Sequence, residues 1–124
     1  MDFVMPTLSS KNNKLYIGKN DICELADKYG TPLYVMDEDY IRNVCREFQT
    51  AMKEHYGDNA LISFASKAFC ATYMYKILEQ EKFGADVVSG GELYTLYKVY
   101  PLNFYCLLKN LQSGYFPPRR KITL

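Results

Sequence analysis

The sequence carries almost no excess charge of either sign, a single histidine and no closely paired cysteines. Fifteen Lys/Arg against fourteen Asp/Glu in 124 residues leave a net charge of +1. That balance gives no electrostatic footing for nucleic acid or an anionic membrane as a partner. No apolar run is long enough to span a bilayer, and the start of the chain lacks the basic and apolar regions of a secretory signal. A cytoplasmic location is expected. Cys23, Cys45, Cys70 and Cys106 form no CxxC pair, and with His55 as the lone imidazole they do not make the usual Cys/His zinc set. The expectation is reduced, structural thiols and no metal site. His55 falls in K-E-H-Y-G at a helix end, where an imidazolium suits the negative pole of the dipole.

What is present reads as a soluble globular domain, with 48% hydrophobic and 23% charged residues. The first twenty residues are polar and irregular, with one strand candidate at residues 15–17. Asp21 and Glu24 have capping-box spacing ahead of a short helix, which Gly30-Thr31-Pro32 breaks. Leu33-Tyr34-Val35-Met36 is a short apolar run of strand type. Asp37, Glu38 and Asp39 then suit the start of a helix whose apolar stripe is Ile41, Val44, Cys45, Phe48 and Met52. A second strand is expected over residues 60–65 and a second helix over 70–81, with Met74, Ile77 and Leu78 on one face. Residues 84–88 read as a third strand, and Ser89 and Glu92 have the spacing of a capping box opening a third helix. Short strands alternating with helices indicate parallel β/α units.

Within this pattern, F-A-S-K-A-F sets Lys67 among small and apolar neighbours at the end of the second strand. Lysine is seldom fully buried. It is either a surface residue with a packed stem, or an amine held for covalent chemistry. Strand alternation puts Leu61, Ser63, Ala65 and Lys67 on one face, with space left by the small residues. In β/α barrels the active-site groups sit at the C-terminal ends of strands. Lys67 is there, and Asp86 lies towards the end of the next strand. An amine so placed forms a Schiff base with an aldehyde, desolvation favours its nucleophilic free base, and a neighbouring carboxylate can hydrogen-bond it. Gly90-Gly91 behind Ser89 reads either as a phosphate cradle or as a permissive strand-to-helix turn, and the turn is the stronger reading.

The segments G-T-P-L-Y-V-M-D-E-D, F-A-S-K-A-F and G-A-D-V-V-S-G-G-E-L-Y-T follow in order between about residues 21 and 98. Together they resemble the N-terminal part of diaminopimelate decarboxylases, fold-type III enzymes of the alanine-racemase-like group that use pyridoxal 5′-phosphate (PLP). The lysine motif alone is common to the superfamily, and S-G-G-E-L narrows it. The resemblance implies an α/β fold, a partial (β/α)8 TIM-type PLP-binding barrel holding the first three β/α units and part of a fourth strand. It implies that Lys67 binds PLP as a Schiff base, with Asp86 close to lysine and cofactor. The implied reaction decarboxylates meso-diaminopimelate, a small amino-acid substrate, to L-lysine, and the family works as a homodimer.

The pattern departs from the family after residue 99. Residues 100–113 look inserted, while Gly114 to Pro118 and Ile122-Thr123-Leu124 resemble a family turn and its following strand. The family's His-Gly motif, phosphate loops, pyridine-facing acid and C-terminal β-domain lie beyond this stretch, so the 124 residues alone are expected to be inactive. The expected division is residues 1–30 as an N-terminal segment that in the family packs with the β-domain, 31–99 as the first barrel units, and 100–124 as a basic tail. That tail holds Lys109, Arg119, Arg120 and Lys121 and no acid. Three readings stand: part of a PLP decarboxylase, a non-catalytic degenerate module, and a PLP-binding relative acting on another amino acid.

Overall fold

The computed structural model describes residues 7–99 and 106–108. The chain divides into two compact units, one ending at Val44 and the other beginning at Cys45.

In the first unit, the stretch that reads as irregular is an antiparallel meander. β1 (Leu8–Lys11) pairs with β2 (Lys14–Ile17), which pairs with β3 (Asn20–Asp21). Lys11 stands opposite Lys14, leaving Asn12 and Asn13 as a two-residue turn at φ 52° and 58°. Positive φ at both central residues is what a type I′ hairpin requires, and asparagine tolerates it. α1 (Ile22–Tyr29) follows directly. Asp21 caps it, one carboxylate oxygen accepting from the Cys23 N–H at 2.8 Å and the Glu24 N–H at 3.4 Å. The other oxygen lies 2.7 Å from Lys14 Nζ. At the far end Gly30, at φ 81°, donates its N–H to the Ala26 carbonyl and ends the helix.

The apolar run at residues 33–36, expected as the first barrel strand, is not one. Leu33, Tyr34, Val35 and Met36 are all exposed, Tyr34 at 97%. A strand exists through its ladder, and no strand among the described residues pairs with this run.

α2 (Glu38–Tyr56) spans the division between the units. Its acidic start is as expected: Asp37 accepts from the Tyr40 N–H at 3.2 Å, and Glu38 takes the Arg42 guanidinium at 2.7 and 2.9 Å. His55 lies in the last turn. Of the anticipated apolar stripe only Cys45 is buried, and Phe48 is 58% exposed.

The second unit is built on a parallel sheet of order β4-β5-β6: β4 (Ser63–Ala65), β5 (Gly84–Val87) and β6 (Cys106–Leu108). α3 (Thr72–Gln80) joins β4 to β5, and α4 (Gly90–Val99) follows β5. Ser63 pairs with Gly84 and Ala85 with Cys106, so each step along the sheet uses the same length of chain. The strand–helix alternation thus continues into residues 100–113, where sequence periodicity shows no strand. The turn and strand expected at 114–124 lie outside the described residues.

The apolar core sits here. α3 buries Met74, Tyr75, Ile77 and Leu78, and β5 buries Ala85 and Val87. As the central strand of a parallel sheet β5 is shielded, with Gly84, Ala85 and Val87 buried and Asp86 half-buried. α3 closes with the Lys82 N–H on the Glu79 carbonyl and the Phe83 N–H on the Leu78 carbonyl, Lys82 standing at φ 57° in the left-handed position usual for glycine. Below this turn the buried Glu81 carboxylate takes the Arg46 guanidinium in a fork, Nε at 3.0 Å and Nη2 at 2.9 Å. Gln49 donates to the Glu81 backbone carbonyl. The two contacts fasten the latter half of α2 to the end of α3.

Candidate active site at the strand ends

β4 is only three residues long, and the chain leaves it in a 3-10 turn, Ser66–Ala68. Lys67 therefore sits in the turn that follows the strand, so period-two alternation does not decide where it points. The residue is exposed. Ser66, just before it, is fully buried, and β5 packs beside the turn.

Asp86 is on β5, in register with Ala65, two residues before Lys67. One of its carboxylate oxygens is buried. Parallel pairing thus brings the lysine-bearing turn and the carboxylate to the C-terminal ends of neighbouring strands, as the strand pattern predicts. On β4 the Ser63 hydroxyl is buried without a hydrogen bond.

After β5 the Ser89 cap of α4 forms, and the Glu92 side chain reaches back one residue beyond the cap, to Val88. The Glu92 N–H donates to the Ser89 hydroxyl at 3.2 Å, and the Glu92 carboxylate accepts from the Val88 N–H at 2.8 Å. A Cβ at Gly90 or Gly91 would meet nothing within 4 Å, and neither glycine has positive φ. The permissive-turn explanation of these glycines therefore finds no support in the geometry: the helix start faces open space.

Two residues escaped the sequence reading. Tyr75, fully buried on α3, places its hydroxyl 3.6 Å from the Cys70 sulfur. Burial pushes this phenol up to about 12; the nearby Ser66 hydroxyl pulls it down and the Cys70 thiol adds to the rise. Tyr73, also raised by burial, packs edge-on to Phe69, ring centres 5.6 Å apart. The available signal was the aromatic pair spaced across the first turn of α3, masked by its aliphatic stripe.

The groups at these strand ends are a primary amine and a carboxylate. An exposed primary amine fits the aldehyde of PLP, with which it condenses. Among the described residues no cluster of His, Cys, Asp and Glu has the makings of a metal site, and no helix is long and apolar enough to cross a membrane.

These features define a parallel β/α protein with a lysine and a carboxylate at adjacent strand ends. Comparison with known proteins names the group. The chain is 46% identical over 95 residues to the diaminopimelate decarboxylase of Bacillus methanolicus, covering 77% of this chain and 22% of that protein. It is 45% identical over 86 residues to that of Bacillus subtilis, covering 69% and 19%. A crystal structure of the M. jannaschii diaminopimelate decarboxylase, in complex with L-lysine, superposes with a TM-score of 0.70 at 34% identity, covering 83% of this chain and 24% of that one. No protein-family model matches. The resemblance read from the motifs holds: the chain is similar to diaminopimelate decarboxylases, and spans about a fifth of the length of the curated relatives it matches.

Proposed function

We propose that these residues form part of a cytoplasmic, PLP-dependent decarboxylase that converts meso-diaminopimelate to L-lysine and carbon dioxide. The observation that carries this reading is the placement of Lys67 in the turn directly after β4, with Asp86 in register on β5. Identity to decarboxylases across the same segments supports it. In this reading the parallel strands belong to an eight-stranded barrel completed by further chain, and two such barrels pair as a homodimer. The 124 residues alone are inactive.

Lys67 would hold the cofactor through its amine, which exposure leaves reachable by a small molecule. Asp86, in register with Ala65 on the neighbouring strand, would supply a carboxylate beside the lysine-bearing turn. PLP, when bound, would supply an electron sink for the pair left on carbon as the substrate carboxylate departs as carbon dioxide. The buried segment around Ser66 and Val87 gives the two groups a rigid base.

The experiment grafts residues 21–98 into the corresponding segment of the Bacillus methanolicus enzyme, loads the hybrid with PLP, reduces it with borohydride and maps the peptides. The pyridoxyl group is expected on Lys67. Label on another lysine with Lys67 unmodified would end the assignment.

A further inference from the structure

We propose that Tyr75 is a positioning residue for Lys67: from α3 its phenol reaches back to the chain on both sides of the lysine and holds the 3-10 turn in one conformation. The inference rests on the reading of Lys67 as the covalent amine and adds the group that fixes it.

Three observations carry it. Tyr75 has no exposed surface although its neighbours on the same helix face, Met74, Ile77 and Leu78, are apolar. An aliphatic side chain would fill that position without a polar atom, and burying a phenol is costly unless its hydroxyl finds a partner. The partner found is Cys70, whose sulfur stands 3.6 Å from the hydroxyl. Ser66, also fully buried, turns a hydroxyl without a hydrogen-bond partner into the same interior. Ser66 immediately precedes Lys67 and Cys70 follows it by three residues, so the phenol brackets the turn.

The anchoring end is rigid. The Tyr75 N–H donates to the Ala71 carbonyl at 3.2 Å, within the first turn of α3. The lysine side chain is exposed, so the residues around it set the stiffness of its turn. Because burial keeps the phenol neutral through the working pH range, its hydroxyl remains available to Cys70 and Ser66 throughout.

The test uses the full chain and amide hydrogen exchange. Tyr75→Phe keeps the ring and removes only the hydroxyl. Exchange at residues 66–70 should quicken about fivefold, the effect of one modest hydrogen bond, while amides in β5 and the second half of α3 keep their protection. Cys70→Ser preserves a partner and should behave as wild type; Cys70→Ala should reproduce part of the Tyr75→Phe effect. Cys70 is exposed, so these two variants do not threaten the core. In parallel, PLP with borohydride should label Lys67 less in Tyr75→Phe, measured against Lys76 and Lys82 as references. Equal exchange at residues 66–70 in wild type and Tyr75→Phe overturns the proposal, as does a loss of protection spread evenly through α3 and β5. Label on the wrong lysine in the grafted enzyme would instead overturn the role of Lys67 and leave the exchange result standing.

Discussion

The fork between Arg46 and Glu81 joins residues 35 apart in the chain, and its strength can be worked from its surroundings. Two charge-assisted hydrogen bonds at 3.0 and 2.9 Å meet a carboxylate with 8% of its side chain exposed, from a guanidinium with 59% exposed. Exposed ion pairs contribute ~0.2–1 kcal/mol, and hydrogen bonds to charged groups in shielded settings ~1.5–3 kcal/mol. With one partner shielded and the other in water, the coupling should be about 1 kcal/mol. Arg46→Ala alone should cost ~1–2 kcal/mol, since it also strips hydrogen bonds from a mostly buried carboxylate. Arg46→Lys keeps the charge but not the fork and should recover about half of the loss. The assay is urea unfolding of wild type, Arg46→Ala, Glu81→Ala and the double variant at low salt and at high salt. Coupling should shrink with salt, because the guanidinium side is screened. A coupling indistinguishable from zero at low salt would refute the reasoning and reduce the fork to a surface contact.

At the cap of α1, the hydrogen bond from Lys14 lowers the Asp21 carboxyl first, burial opposes it, and the Cys23 and Glu24 amides lower it further. Its contribution to stability is therefore full above the ordinary carboxylate range, near ~4, and is lost as pH falls through the lowered folded value. Lys14, raised chiefly by its hydrogen bond to Asp21, contributes fully below its ordinary value and loses that contribution as pH rises through the raised one. Urea midpoints followed against pH should show an acid limb that shrinks in Asp21→Asn; an unchanged limb would place the acid sensitivity elsewhere. Asp86→Asn alters charge with little change of volume, so in the grafted enzyme decarboxylation should fall steeply while the unfolding midpoint moves little. A large stability loss with unchanged specific activity would make Asp86 structural.

Local chemistry made much of this fold legible. Asp21 and Glu24 announced α1, the acidic run at residues 37–39 announced α2, and Ser89 with Glu92 announced α4, because caps are satisfied within a few residues. The misses arise from pairings between distant residues or from backbone states that apolar patterns do not encode. The turn at Asn12 and Asn13 needs positive φ twice, and its signal was two asparagines between short polar strands. Residues 33–36 have the composition of a strand but no ladder among the described residues, and β6 has a ladder without a legible pattern. At the candidate site, the sequence brought Lys67 and Asp86 to adjacent strand ends. It extended strand geometry two residues too far, since β4 stops at Ala65. Tyr75 was hidden because an aromatic on an apolar helix face reads as ordinary core.

The measurement that tests the central claim most directly is carbon dioxide release from meso-diaminopimelate by the hybrid enzyme carrying residues 21–98, compared with the same hybrid bearing Lys67→Arg. Guanidinium keeps the charge but does not form the Schiff base that a primary amine forms. The account predicts carbon dioxide and L-lysine in equal amounts from the first protein and none above background from the second. A folded, PLP-loaded hybrid that releases no carbon dioxide, or one that turns over equally well with arginine at position 67, would contradict it.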